Sequence, residues 1–259
     1  MDNSVKIILS GYSGKMGQAI RGLCETREGF EVVAGLAVHN GNVIFPAHVS
    51  QHSPGELEFK GDVVVDFSHA DAVSGVVSFA RKNGMPLVVC TTGISPQASG
   101  EIVEASQDIA VFRSANMSLG LNLMSVLLKK AASVLQPAGF DIEIVEMHHN
   151  LKVDAPSGTA LLLADAINTE LGNTLRISTD RSSRRQRRSA EEIGIHAVRG
   201  GSVAGEHSVI FAGEDELLEF RHSAQSKQIF AAGALRAAKF ISGKPPGMYS
   251  MDDILSFDL

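Results

Sequence analysis

The segment KIILSGYSGKMGQAI, residues 6–20, constrains the fold more than any other part of the chain. A short apolar run leads into Gly11, Gly14 and Gly17, and a helical pattern follows at once. Each glycine has a distinct use in a strand–turn–helix that receives a dinucleotide. Gly11 lets the chain turn sharply, Gly14 lets a pyrophosphate approach the backbone, and Gly17 lets helix and strand pack closely. The helix start then offers N–H groups and the positive end of its dipole to phosphate. Such a turn is a weak signal by itself, and the strand before it and helix after it strengthen it.

The sequence beyond continues the alternation. Apolar runs rich in Val and Ile at 5–9, 31–36, 62–66, 86–90 and 109–112 read as strands buried on both faces of a parallel sheet. Between them, 16–26, 70–83 and 96–107 read as helices, which predicts a doubly wound, Rossmann-like α/β domain. Segment 40–60 holds Gly41, Pro46, Pro54 and Gly55 and reads as a loop or irregular crossover. The acid usual about 20 residues after such a glycine turn is missing, since Ala37, Val38, His39 and Asn40 stand there. His39 and Lys15 are instead cations that suit a 2′-phosphate.

The pattern then changes. A helix is expected from an N-cap at Ser118 to just before Pro137, a strand at 141–146, and a helix at 159–171 closed by Gly172. Residues 203–212 and 216–222 read as paired strands of an open sheet, and 229–241 as a last helix. This is an α+β domain with an open mixed sheet. With 259 residues there is room for one full nucleotide domain and a smaller second one. The division expected is 1–118 with 229–259, and 119–228 inserted between them.

Composition excludes several classes. A net charge of −6, no Trp and only two Tyr argue against nucleic-acid binding. No apolar run reaches the roughly 18 residues of a membrane span. Cys24 and Cys90 make neither a disulfide framework nor a four-thiolate metal site, and the N-terminus reads as a strand rather than a signal, so a cytoplasmic location is expected.

The densest polar cluster is EMHHNLKVDAPSGTA, residues 146–160. In an extended chain His148 and His149 point to opposite sides. Lys152 adds a cation or proton donor, and Ser157, Gly158 and Thr159 read as a helix start whose hydroxyl and N–H groups suit a carboxylate. Together they suit acid catalysis on a small acid. The two histidines lack the spacing of a metal site, and Ser157 lacks the G-x-S-x-G context of a nucleophile. A bland loop and capped helix is the plain alternative.

With this segment, the chain resembles the dihydrodipicolinate reductase family. The resemblance runs over SGYSGKMG at 10–17, DFSHA at 66–70, CTTG at 90–93, SANMSLGLN at 114–122, residues 146–160, RGGSVAGEH at 199–207 and FAAGALRAAKFI at 230–241. It implies reduction of hydroxy-tetrahydrodipicolinate to tetrahydrodipicolinate by NADH or NADPH, with loss of water, in diaminopimelate and lysine synthesis. It implies that His148 is the proton donor and Lys152 a second donor. His149, Ser157, Gly158 and Thr159 would hold the carboxylates of a small dicarboxylate. Gly11, Tyr12, Ser13, Gly14, Lys15, Met16 and Gly17 would hold the pyrophosphate. Cys90, Thr91, Thr92, Ser114, Ala115, Asn116 and Met117 would line the nicotinamide side. It further implies a homotetramer built through the second domain's sheet, with no metal. Val38 and His39 replace the family's usual acid and Arg, which leaves the nucleotide preference open, and Cys90 replaces a common Gly.

Five arginines at 181–188 form the one charge run. It reads as a phosphate or nucleic-acid patch, as a mobile cationic loop beside the substrate, or as a solvated loop; the overall acidity favours the second over the first. Another two-domain dehydrogenase would share the glycine turn but not residues 146–160. A catalytically dead nucleotide sensor would be expected to lack His148 or Lys152.

Overall fold

The fold is given by a computed structural model that describes residues 4–39, 42–44, 61–182 and 185–255. The chain divides into two units, Met1–Leu119 with Lys227–Leu259, and Gly120–Ser226. The first unit opens with β1 (Val5–Ser10), α1 (Lys15–Thr26), β2 (Phe30–His39) and β3 (Asn42–Ile44). β4 (Val63–Asp66), α2 (Val73–Lys82), β5 (Leu87–Val89), α3 (Pro96–Ala105) and β6 (Ala110–Arg113) follow. Every residue of β4 and β5 is buried, as their unbroken apolar sequence requires. α3 starts where Ser95 accepts a hydrogen bond from the Ala98 N–H and Pro96 takes the first turn, where its missing N–H costs nothing.

The second unit holds α4 (Leu119–Leu135), β7 (Asp141–His148), α5 (Gly158–Glu170), β8 (Arg176–Ser178), β9 (Glu192–Arg199), β10 (Gly205–Ala212) and β11 (Leu217–Ala224). Its sheet runs β11-β10-β7-β9-β8, antiparallel on the β10 side and parallel between β7, β9 and β8. β7 alternates strictly, so Ile142, Ile144, Glu146 and His148 share the buried face. Ile142 and Ile144 pack there with Leu128 of α4 and Leu163 and Ile167 of α5. The pattern therefore places two ionisable residues, Glu146 and His148, in line with a hydrophobic core.

The chain returns to the first unit through α6 (Gln228–Ile241), β12 (Gly247–Tyr249) and α7 (Met251–Leu255). The completed sheet runs β12-β6-β5-β4-β1-β2-β3, parallel except for β3. One core lies on the α1 and α6 side, with Ile20, Ala234, Leu235 and Ile241, and the other on the α2 and α3 side, with Val76, Val77 and Ile102. Both faces are covered, so the sheet is the doubly wound, Rossmann-like one expected from the alternation.

Four strands and one helix add to the sequence reading. β3, β8 and β12 have three residues each and are too short for a periodic signal. β9 is full length, but Gly194 interrupts it and its second half is solvent-facing. Gly194 is a spacing requirement, since a β-carbon there would collide with the Glu143 carboxylate. The helix at 228–241 is followed by α7, so it is not the last. Residues 40–41 and 45–60 of the expected irregular crossover lie outside the described residues.

Candidate active site

In the second unit the site is organised by Glu146, whose carboxylate has no solvent exposure. Oε2 accepts from Arg199 Nη1 at 2.7 Å and lies 2.6 Å from His148 Nδ1. Oε1 accepts from Arg199 Nη2 at 2.7 Å and from the Ser157 N–H at 3.0 Å. Burial alone would raise the Glu146 carboxyl, but these hydrogen bonds and the Arg199 charge hold it below the usual carboxylate range. Arg199 is itself anchored through Nη2 to the Asp154 carbonyl. Strand β7, strand β9 and the start of α5 thus meet on one anion.

His148 is nearly buried, and its ring meets that of His207 edge to face at 5.2 Å. His207 lies 3.0 Å from the Ser157 hydroxyl, and burial followed by the neighbouring His148 pushes it down to about 4, so it is neutral at pH 7. Gly205, next to His207 but one on β10, leaves the His148 Nε2 edge open: a β-carbon there would stand 3.0 Å from that atom. Lys152 pairs with Asp154 at 2.8 Å, and the Lys152 hydrogen bond holds the Asp154 carboxyl below its ordinary value. His149 is half-buried with an enclosed Nδ1 that has no hydrogen-bond partner, while its N–H binds the Val203 carbonyl.

Ser157 is the N-cap of α5, and its hydroxyl accepts from the Ala160 N–H. The free hydroxyl expected from the sequence is therefore not free, being held by the cap and by His207. Gly158 is exposed and Thr159 half-buried at the first positions of α5, where helix N–H groups emerge. His148, Lys152, His149 and the helix start lie within one short segment around this network. Arg199, His207, Gly205 and the role of Glu146 are not visible in local sequence, because their partners lie tens of residues away.

In the first unit the glycine turn is packed tightly against the chain's own backbone. Gly11 has φ +78°, and a β-carbon there would stand 2.7 Å from the Phe67 carbonyl carbon. At Gly17 it would stand 2.5 Å from the Tyr12 carbonyl oxygen. Gly14, Ser13 and Lys15 are exposed at the start of α1, and Met16 is half-buried behind them. The Tyr12 ring packs against Gly35 of β2 with the Arg21 guanidinium 4.2 Å from its centre. Fully buried Asp66 ends β4; its carboxylate accepts from Thr91 Oγ1 at 2.7 Å and from the Ser68 N–H at 3.1 Å. That fixes two loops at the carboxyl ends of the strands, where a doubly wound sheet receives its ligand.

The remaining expected residues divide. Cys90 follows β5, its N–H binds the Asp66 carbonyl, and burial raises its thiol well above the ordinary value, so it is no nucleophile. Thr92 and Ala115 are exposed. Ser114 Oγ donates to the Asn116 carbonyl, and Asn116 Oδ1 accepts from the Ser118 N–H. The Met117 side chain lies in the core, and its carbonyl sits where Gly233 of α6 leaves room. The His39 side chain lies outside the described residues. The arginine run is not a uniform cationic loop. Arg188 binds Asp141, Glu143 and the carbonyls of Ile142 and Glu192, and Arg181 pairs with Glu192. Among the described residues no group of three or more His, Cys, Asp or Glu is placed to hold a metal ion.

A doubly wound unit with this glycine turn, joined to a unit bearing a buried carboxylate–histidine network, defines an oxidoreductase with a nucleotide-binding domain. Family models for the N-terminus and C-terminus of dihydrodipicolinate reductase match residues 5–117 and 120–255. The chain belongs to that family. It is 47% identical over 251 residues to the 4-hydroxy-tetrahydrodipicolinate reductase of Caldanaerobacter subterraneus subsp. tengcongensis, covering 97% of this chain and 98% of the relative. It is 45% identical to that of Clostridium tetani, covering 97% of each. The dipicolinate-bound dihydrodipicolinate reductase of Paenisporosarcina sp. TG-14 superposes with a TM-score of 0.77 at 25% identity, covering 97% of this chain and 99% of that one. A diaminopimelate dehydrogenase of C. glutamicum, at 13% identity and a TM-score of 0.52 with full coverage of both chains, shares the fold.

Proposed function

We propose that the chain reduces 4-hydroxy-tetrahydrodipicolinate to tetrahydrodipicolinate, with loss of water, in the synthesis of diaminopimelate and lysine. The observation that carries this reading is the His148–Glu146–Arg199 network at the mouth of the α5 helix start, in a chain of this family. Residues 1–118 with 229–259 serve as the dinucleotide-binding domain, and 119–228 as the substrate-binding and tetramerisation domain. Gly11 to Gly17 cradle the pyrophosphate, and the loops at Cys90–Thr92 and Ser114–Met117 face the nicotinamide. The close backbone packing at Gly11 and Gly17, which shapes the turn, and the exposed Ser13, Gly14 and Lys15 at the start of α1 fit such a group. A bound NADH or NADPH supplies the hydride. No carboxylate ends β2 to select ribose hydroxyls, which supports use of both nucleotides.

The chain's own residues do the rest. His148, as imidazolium, gives its proton to the carbon beside the one reduced, and Lys152 is the second donor. The start of α5 at Gly158 and Thr159, with His149, holds the carboxylates of the dicarboxylate substrate. The unpaired, enclosed His149 Nδ1 is an atom that such a ligand would satisfy. Holding donor and substrate in line is worth several kcal/mol of barrier, on the order of 10²-fold or more in rate. The tetramer would form through the sheet face opposite α4 and α5, which bears Val145 and Ile210, and beside the exposed Leu217 and Leu218. A cytoplasmic location goes with this role; among the described residues no helix is long and apolar enough to cross a membrane.

The test is nicotinamide absorbance with substrate freshly made by the preceding synthase, run with NADH and with NADPH. Turnover with at least one is expected, and none with either rejects the reading. His148→Gln and Lys152→Met are each expected to lower kcat by about 10²-fold or more. Activity within a few-fold of wild type in both would remove those roles.

A further inference from the structure

Glu146 stands apart from the residues given roles above. It is fully buried, lies on the same face of β7 as His148, and receives donors from three elements: Arg199 of β9, the Ser157 N–H before α5, and the His148 ring. An ionised carboxylate only accepts hydrogen bonds. Four contacts fill both oxygens, and three of them come from obligate donors, two guanidinium N–H groups and one peptide N–H. Nothing is left for Glu146 to donate, so the fourth contact requires the proton on His148 Nδ1. In neutral His148 this leaves Nε2 with the lone pair.

Nε2 is the edge that Gly205 leaves clear: a β-carbon there would stand 3.0 Å from Nε2. The charged groups at the Nδ1 edge are Glu146 on its own strand and Arg199 from β9, bound to each other. His207 of β10 meets the ring edge to face.

We propose that Glu146 is the positioning residue for His148: it fixes the ring proton on Nδ1, makes Nε2 the only atom that exchanges a proton with substrate, and ties that atom to the α5 start that receives the carboxylate. The imidazolium gives up its Nε2 proton, keeps the Nδ1 proton against Glu146, and ends as the neutral Nδ1–H tautomer, ready to be recharged from solvent. The inference rests on His148 being the proton donor of the proposed reaction.

The tautomer is read directly from long-range proton–nitrogen correlations of the full-length protein labelled with ¹⁵N-histidine, the His148 signals being assigned by their loss in His148→Gln. Wild type is expected to show Nδ1–H at alkaline pH. In Glu146→Gln the amide oxygen stays with Arg199 Nη2 and the Ser157 N–H, which turns the amide NH₂ toward Nδ1, gives up the bond from Arg199 Nη1 and moves the His148 proton to Nε2. That variant should lose kcat by at least about 10²-fold with KM within about threefold, since only the proton-transferring step is disturbed. A wild-type Nε2–H tautomer overturns the proposal even if Glu146→Gln does not fold. So does a variant that loses kcat while keeping Nδ1–H, or one that changes tautomer at undiminished kcat. The tautomer is measured without substrate, so failure of wild type to turn over would count against the reductase reading and not against this one.

Discussion

A methyl group added at Gly17 would stand 2.5 Å from the Tyr12 carbonyl oxygen, a backbone atom that cannot swing aside, whereas at Gly14 it would meet only the Gly11 carbonyl at 3.2 Å. The two glycines therefore differ in kind. Gly17 is needed by the empty fold, and Gly14 is needed for what approaches it. Gly17→Ala is expected to lower unfolding free energy by about 2 kcal/mol and to weaken nucleotide binding more than tenfold. Gly14→Ala should leave stability within about 0.5 kcal/mol and weaken nucleotide binding alone. Urea titration with and without NADPH separates the two. The glycine spacing was legible in the sequence, but this division of labour was not, because it depends on which carbonyl the folded turn brings close. The same holds at His148. Its neighbour in sequence, Glu146, was within sight, yet its role rests on Arg199 and Ser157 reaching it across strands.

Among the elements, β4 and β5 were readable because both faces are buried and the residues are apolar without a break. β9 was hidden by the glycine that lets Glu143 cross it. The arginine run stayed open among three readings for a related reason: charge was visible, but not the carboxylates it meets. Arg188 spans β7 and β9, bonding Asp141, Glu143 and three main-chain carbonyls. Arg188→Met keeps the stem and removes every donor, leaving Glu143 with His196 alone and those carbonyls without the guanidinium. We expect a loss of about 2–3 kcal/mol in denaturant unfolding. Ala at exposed Arg185 or Arg187 should change stability by less than about 0.5 kcal/mol. Equal effects at all three would contradict the bracing role.

For the molecule as a whole, the acid limit of stability follows from the second unit. His207 is held neutral with its value pushed from 6.5 to about 4. The unfolded chain binds that proton first, so the contribution is complete above about pH 6.5 and is lost as pH falls toward 4, about 3 kcal/mol in all. Glu146 and Glu143, both held below the usual carboxylate range, add to the loss at still lower pH. His207→Gln should flatten the stability-against-pH curve between these limits. An unchanged slope would show that His207 binds its proton as readily in the fold as in the unfolded chain.

The return of the chain to its first unit sets a schedule for synthesis. Ala231, Ala234, Leu235, Ala237, Ala238 and Ile241 of α6 cover one face of the nucleotide-binding sheet, and β12 pairs with β6. All of Gly120–Ser226 leaves the ribosome before any of these do. A chain truncated after Ser226 is therefore expected to carry a protease-resistant second unit beside a first unit still open to cleavage, since domains fold as units once complete. Strands β1 to β6 must wait for α6 and β12, and a chain cut before α6 carries the site segment with an unfinished sheet to hold its reductant.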